Sequence, residues 1–158
     1  MQPHVTQALN DWRAAWTVHE RAAQDAMAAA FPALKPVTER TTCCTVQMRW
    51  EKDGEGSGLA CLDDHGRATV EFKDVPQEAL GKALDEVFGY DWFDAGPEGI
   101  RGAPPGTYNY DDEATYAEYE IEVKEGGRAS FGISYVLIED IVTILDQFET
   151  ALADYRAT

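Results

Sequence analysis

Three glutamates near the C-terminus recur at every second position: Glu118, Glu120 and Glu122. In a β-strand successive side chains point to opposite faces, so these carboxylates would lie on one face, about 6.6–6.8 Å apart. The neighbours expected on the next strand are small and uncharged: Ser134, Gly132 and Ser130. Like charges so placed repel one another. The pattern is typical either of a solvated sheet face or of a surface that binds a basic partner.

A second set of candidate binding residues lies in residues 89–114, where glycines and prolines interrupt any regular pattern. Aromatic residues alternate there with carboxylates, and disordered segments are usually poor in aromatics. The segment therefore predicts an ordered loop in which Trp92 and Phe93 pack inward while tyrosines and acids face a partner. The candidate partner-binding residues in it are Tyr90, Asp91, Asp94, Tyr108, Tyr110, Asp111 and Asp112. The alternative is a ligand pocket beneath this loop.

Several short motifs could carry catalysis or hold a metal, and none is complete. His19 and Glu20 begin a zinc-protease motif whose second histidine would fall on Ala23. The acids at 111–113 lack the spacing of a calcium loop. The glycines at 54–58 are not followed by the lysine of a phosphate-binding loop. The sequence therefore predicts no catalytic residue, no metal site and no cofactor.

The cysteines and the apolar runs bear on the compartment. Cys43, Cys44 and Cys61 are odd in number, which favours reduced thiols over a disulfide framework. The N-terminus shows no signal-peptide pattern. No apolar run approaches the ~18–20 residues of a membrane span. These features predict a cytoplasmic protein with free cysteines.

Charge is distributed unevenly along the chain. The net charge is −16, and residues 76–158 hold 18 acidic and five basic residues, which is −13 of that total. Such a field repels nucleic acid and anionic membranes and attracts basic partners. The expected partner is therefore a basic protein, with no nucleic acid and no membrane. Solubility is the alternative explanation of the charge.

Hydrophobic periodicity and turn residues predict the elements that position these side chains. Helices are predicted over 4–30, from a cap at Asp74 to Phe88, and over 138–156; strands are predicted over 41–52, 59–63, 67–73, 115–124 and 128–136. The first helix carries an apolar stripe long enough to cross a sheet. In the last hairpin, pairing Val123 with Ala129 keeps one face apolar and requires a three-residue turn at 125–127.

The order α-β-β-β-α-(long loop)-β-β-α predicts an α+β fold with an antiparallel sheet of about five strands and three helices. A chain of 158 residues fits a single domain over 1–158. In size, acidity and lack of catalytic motifs, the chain resembles the immunity proteins of bacterial toxin systems, although no shared motif assigns a role to any residue. That resemblance implies a protein-binding module, an immunity or inhibitor protein that masks a basic partner such as a toxin. The alternative is an enzyme or small-ligand domain with a pocket under the 89–114 loop.

Overall fold

A computed structural model of the chain describes residues 2–37, 46–62, 67–88, 107–109 and 116–157. The helices in these ranges are α1 (Pro3–Ala30), α2 (Gln77–Phe88) and α3 (Ile138–Ala157). The strands are β1 (Lys35–Pro36), β2 (Val46–Lys52), β3 (Gly56–Leu62), β4 (Arg67–Pro76), β5 (Thr107–Asn109), β6 (Tyr116–Lys124) and β7 (Arg128–Leu137). Every strand pair is antiparallel, in the order β1-β2-β3-β4-β7-β6-β5. The predicted α+β class is confirmed.

Two short strands extend the sheet beyond the five predicted ones. β1 has two residues and β5 has three, which is too short for an alternating pattern to appear in the sequence. β5 lies within residues 89–114, so the prediction that no regular structure occurs there was wrong for 107–109. Its pairing with β6 places Thr107 opposite Glu118.

The register predicted for the last hairpin is confirmed. Val123 pairs with Ala129 across β6 and β7, and Lys124 with Arg128, which leaves a three-residue turn. Gly126 and Gly127 in that turn have φ of 77° and 73°, a left-handed conformation that glycine adopts without steric cost. Alternation through both strands therefore determined which side chains face the helices.

The start of α2 differs from the prediction. β4 continues to Pro76 and α2 begins at Gln77, so Asp74 does not cap the helix. Asp74 instead has φ of 54° at a bulge in β4, where the pairing with β7 shifts between Phe72 and Val75. The backbone N–H of Asp74 donates a hydrogen bond to Ser130 Oγ at 3.0 Å. Pairing with β7, which is distant in sequence, prevails over a local capping pattern.

The core lies between one face of the sheet and the helices, and aromatic rings pack at its centre. The Phe72 and Phe148 ring centroids are 4.7 Å apart, and those of Phe31 and Trp50 are 5.0 Å apart. The Trp50 indole occupies the space that a side chain at Gly58 would need, which explains a glycine in the middle of β3. These rings join β2, β3 and β4 to α3.

Only the C-terminal end of α1 contributes to this core, although its apolar stripe is long enough to cross a sheet. Met27 and Ala30 are buried, whereas Val5, Leu9 and Trp12 are 39%, 40% and 62% exposed. A helix of 28 residues is about 42 Å long, and most of that length lies beyond the surface against which it packs.

Candidate partner-binding site

The sheet face opposite the helices carries the charged residues of its strands. One row of directly paired residues crosses six strands, and we call it the central row. From β1 to β6 it contains Lys35, Arg49, Leu59, Glu71, Gly132 and Glu120. Its cations lie at the β1–β2 end and its carboxylates at the β4–β6 end. Strand alternation places all six on one face, because their neighbours in sequence include the core residues Met48, Ala60, Phe72 and Ile133.

The glutamates predicted from the sequence lie on this face. Glu118, Glu120 and Glu122 are exposed on β6 and pair with Ser134, Gly132 and Ser130, as the alternation required. No cross-strand lysine stands opposite any of the three. The residues opposite them on β7 are small and uncharged, so they do not relieve the repulsion between the carboxylates.

Glu71 completes a cluster that the sequence did not reveal. It pairs with Gly132 from the β4 side, while Glu120 pairs with Gly132 from the β6 side. Two strand spacings separate Glu71 from Glu120, about 9.6 Å. Gly132 leaves a gap between them, since a Cβ atom there would meet only Glu71 Cγ at 3.6 Å and the Val70 carbonyl at 3.8 Å. We call Gly132 with Glu71, Glu118 and Glu120 the acidic notch.

Two shallow concavities, each about 380 Å³, meet at the acidic notch. One extends towards Ser130 and Glu122 and also contains Lys73. The other extends towards Thr69 and Ser134, and the described residues that line it include the three carboxylates of the acidic notch but no cation. None of those three carboxylates forms an ion pair with a residue of the described ranges. The second concavity is therefore suited to a cationic group supplied from outside.

A larger concavity, about 640 Å³, lies at the other end of the face. Lys35, Arg49 and Lys73 line it together with Glu51 and Glu71. The Lys35 ammonium donates a long hydrogen bond of 3.5 Å to the Pro32 carbonyl. Within the described part of the chain, neither Arg49 nor Lys73 has an ion-pair partner. Positive charge thus predominates here on a protein that is strongly acidic as a whole.

Cys61 lies in the next row of the same face, opposite Gln47 and Thr69. It is a free thiol, half-buried. Burial raises the pKa of the Cys61 thiol, the Glu71 carboxylate raises this pKa further, and Arg49 opposes them. The thiol therefore lies within the electrostatic influence of both ends of the central row. Cys43 and Cys44 lie outside the described residues.

Of the candidate residues in the loop, the described ranges include only Tyr108. Tyr90, Asp91, Asp94, Tyr110, Asp111 and Asp112 lie outside them, and so does the space in which a pocket under the loop was predicted. Tyr108 lies in β5, opposite Ala117 of β6. The loop part of the predicted interface remains a prediction.

Neither a metal site in the described residues nor a known relative points to a function. Among the described residues, no three His, Cys, Asp or Glu side chains are grouped so that they could hold a metal ion. None of the helices in those ranges is both long and apolar enough to cross a membrane. Comparison with protein-family models, characterised proteins and solved structures finds no match to the chain. The geometry of the open sheet face is therefore the basis for the proposed function.

Proposed function

We propose that this protein is a protein-binding module whose acidic notch receives a lysine or arginine side chain of a basic partner. The observation that carries the proposal is Gly132 lying between Glu71 and Glu120, with Glu118 beside them and no cation among the described residues that line that concavity. An immunity or inhibitor protein that masks the basic site of a toxin is one form of this function.

The physical basis is charge complementarity at a place where the described residues leave three carboxylates unneutralised. A cation in the notch would relieve repulsion between neighbouring carboxylates and form charge-assisted hydrogen bonds with them. Gly132 supports this because it leaves room for the aliphatic stem of a long side chain. The net charge of −16 adds a long-range attraction that speeds the encounter with a basic partner.

A small-ligand or enzyme function has less support. Ligand sites are usually concave and largely apolar and enclose most of the ligand. The concavities at the acidic notch are shallow, and they are bordered by carboxylates and small hydroxyl side chains such as Ser130 and Ser134. This shape fits a side chain that projects from a larger partner.

The test measures binding of a fluorescent peptide of alternating lysine and serine at low and moderate salt. The Glu71→Gln/Glu118→Gln/Glu120→Gln variant should weaken binding about tenfold, because three close charges are lost. A matched control, Asp85→Asn/Glu86→Gln/Asp146→Asn, removes three exposed charges from α2 and α3. It should weaken binding only slightly and mainly at low salt.

A steric variant separates the acidic notch from the general field. Gly132→Val leaves the net charge unchanged and places a branched side chain between Glu71 and Glu120. We expect it to weaken peptide binding while circular dichroism and the free energy of unfolding stay close to wild type. Equal loss of binding in the notch variant and the helix control would overturn the proposal. Unchanged binding by Gly132→Val would overturn the notch as its location.

A further inference from the structure

The central row is electrically polarised from one end to the other. Lys35 and Arg49 are direct cross-strand partners at the β1–β2 end. Leu59 follows on β3, and Glu71 and Glu120 lie on β4 and β6. Six strands at about 4.8 Å spacing place about 24 Å between the two ends. The face therefore offers a partner an anion-binding end as well as the acidic notch.

The two ends do not neutralise each other. Arg49 and Glu71 are separated by Leu59 and lie two strand spacings apart, about 9.6 Å. That distance is too great for an ion pair, and it is close to the screening length of physiological salt. The Lys35 ammonium has three donors, of which the long contact to the Pro32 carbonyl occupies one. Both ends thus have bonding capacity for charges of opposite sign.

We propose, on the basis of the function proposed above, that the partner supplies an extended segment that crosses the strands along the central row. Its basic side chain lies in the acidic notch, and a carboxylate four residues away binds Arg49 and Lys35. The occupant is thus a peptide segment with opposite charges at positions i and i+4, in either chain direction.

The spacing follows from sheet geometry. Gly132 and Arg49 are three strand spacings apart, about 14 Å. An extended chain advances about 3.3–3.4 Å per residue, so four residues span about 13 Å. Even spacing also keeps both charged side chains on the face that meets the sheet. The residue halfway between them lies between Leu59 and Glu71.

The anion-binding end is suited to one carboxylate. Arginine binds a carboxylate through two parallel hydrogen bonds, and Lys35 lies directly opposite Arg49 to add a third donor. The concavity of about 640 Å³ beside them has room for the group. Glu51 and Glu71 also line that concavity and disfavour a second anion, while Lys73 supports the first.

A second copy of the chain is a poorer occupant. Reversing the central row onto itself matches its cations with carboxylates, but it also places Leu59 of each copy against Glu71 of the other. That carboxylate would lose water without gaining a hydrogen-bonding partner. Each copy also carries a net charge of −16. Like-charge repulsion therefore favours a different partner.

The experiment selects binders from a displayed library of random nine-residue peptides. Wild type, Lys35→Gln/Arg49→Gln and a charge-matched control, Arg13→Gln/Arg21→Gln on α1, are used as separate targets. Wild type and the control should enrich peptides with a basic residue and an acidic residue four positions apart. The Lys35→Gln/Arg49→Gln variant should enrich the basic residue alone. Peptides selected on wild type should bind this variant about tenfold more weakly.

Each outcome distinguishes the two proposals. If no target enriches basic residues, the proposed function fails together with this inference. If every target enriches basic residues without an acidic residue four positions away from them, this inference alone fails. A concentration-dependent dimer in sedimentation that Arg49→Gln abolishes would replace the peptide segment with a second copy. Circular dichroism of each variant checks that its fold is retained.

Discussion

The two faces of the sheet differ most clearly where neighbouring residues of one strand point in opposite directions. On β4, Glu71 is part of the acidic notch on the open face, whereas Phe72 packs against the helices and is 1% exposed. On β7, Gly132 forms the floor of the notch while Phe131 is buried. The covered face is packed with rings that stabilise the fold, whereas the open face holds the carboxylates of the acidic notch, which form no ion pair with a described residue. Packed rings and unpaired carboxylates thus alternate along the same strands, and single substitutions can separate stability from the proposed recognition.

The largest expected contrast is between Phe72→Ala and Glu71→Gln. Removing the Phe72 ring leaves a cavity beside Phe148 and should lower the free energy of unfolding by about 3–5 kcal/mol. Glu71→Gln removes a charge that has no ion-pair partner among the described residues and should change that free energy by less than about 0.5 kcal/mol. Urea denaturation of both variants measures the difference. A cost of several kcal/mol for Glu71→Gln would mean that the open face is structural.

Gly58→Ala and Gly132→Ala make the same substitution on opposite faces of the sheet. A Cβ atom at Gly58 would point to the covered face and meet the Trp50 indole and, at 2.5 Å, the Glu71 carbonyl. Overpacking of this kind costs about 1–3 kcal/mol. At Gly132 a Cβ atom would meet only ordinary contacts, so Gly132→Ala should be neutral or stabilise by up to about 1 kcal/mol. Gly58→Ala should therefore lower the melting temperature, and Gly132→Ala should leave it unchanged or raise it. Similar melting temperatures for the two variants would contradict the packing described for Gly58.

Paired charges occur at the rim of the covered face, and they provide a smaller test. Arg156 of α3 donates two hydrogen bonds to the Glu55 carboxylate at the β2–β3 turn, one of them at 2.8 Å. The Glu55 side chain is 13% exposed. We expect Arg156→Gln to cost about 1 kcal/mol or less, because water partly screens the guanidinium.

The pH dependence of that cost identifies the ion pair as its source. The hydrogen bonds from Arg156 lower the pKa of Glu55 below its usual range. A lowered pKa in the folded state stabilises the protein above the unfolded-state pKa and loses this contribution as the pH falls through the folded-state value. The difference in unfolding free energy between wild type and Arg156→Gln should therefore be full at neutral pH and shrink in acid. A difference that stays constant with pH would point to lost packing by the arginine stem.

Sequence reasoning succeeded where the pattern was local and uninterrupted. Alternation through β6 and β7 predicted their register, and hence the face on which Glu118, Glu120 and Glu122 lie. The buried stripe of α3 was predicted for the same reason, since Ile141, Leu145 and Phe148 recur at helical spacing. The prediction failed for Asp74 and missed the positive φ of Tyr135, because both lie at bulges created by the pairing of β4 with β7.

Contacts between distant segments account for the rest of what was missed. Glu71 lies on β4. No local pattern in the sequence indicates that β4 pairs with β7, which is the pairing that places Glu71 beside Gly132. The pairing of Lys35 with Arg49 depends on a strand of only two residues. On α1, the stripe that includes Trp12 is amphipathic like that of α3, yet periodicity does not say which surface covers a helix.

The smallest expected effect uses Cys61 as a probe of the field on the open face. Burial, and after it the Glu71 carboxylate, raise the pKa of the Cys61 thiol, while Arg49 lowers it. Alkylation proceeds through the thiolate, so its rate below the thiol pKa reports how the face stabilises negative charge. In a Cys43→Ser/Cys44→Ser background, Glu71→Gln should therefore speed alkylation of Cys61 by a small factor, and Arg49→Gln should slow it. Added salt should shrink both changes.

Stopped aliquots analysed by mass spectrometry give the rate constants, and the pair is its own control, because both substitutions remove one charge from the same row. A change of the same sign in both variants would reflect altered access to the thiol, and the polarity assigned to the central row would then lose its support in solution.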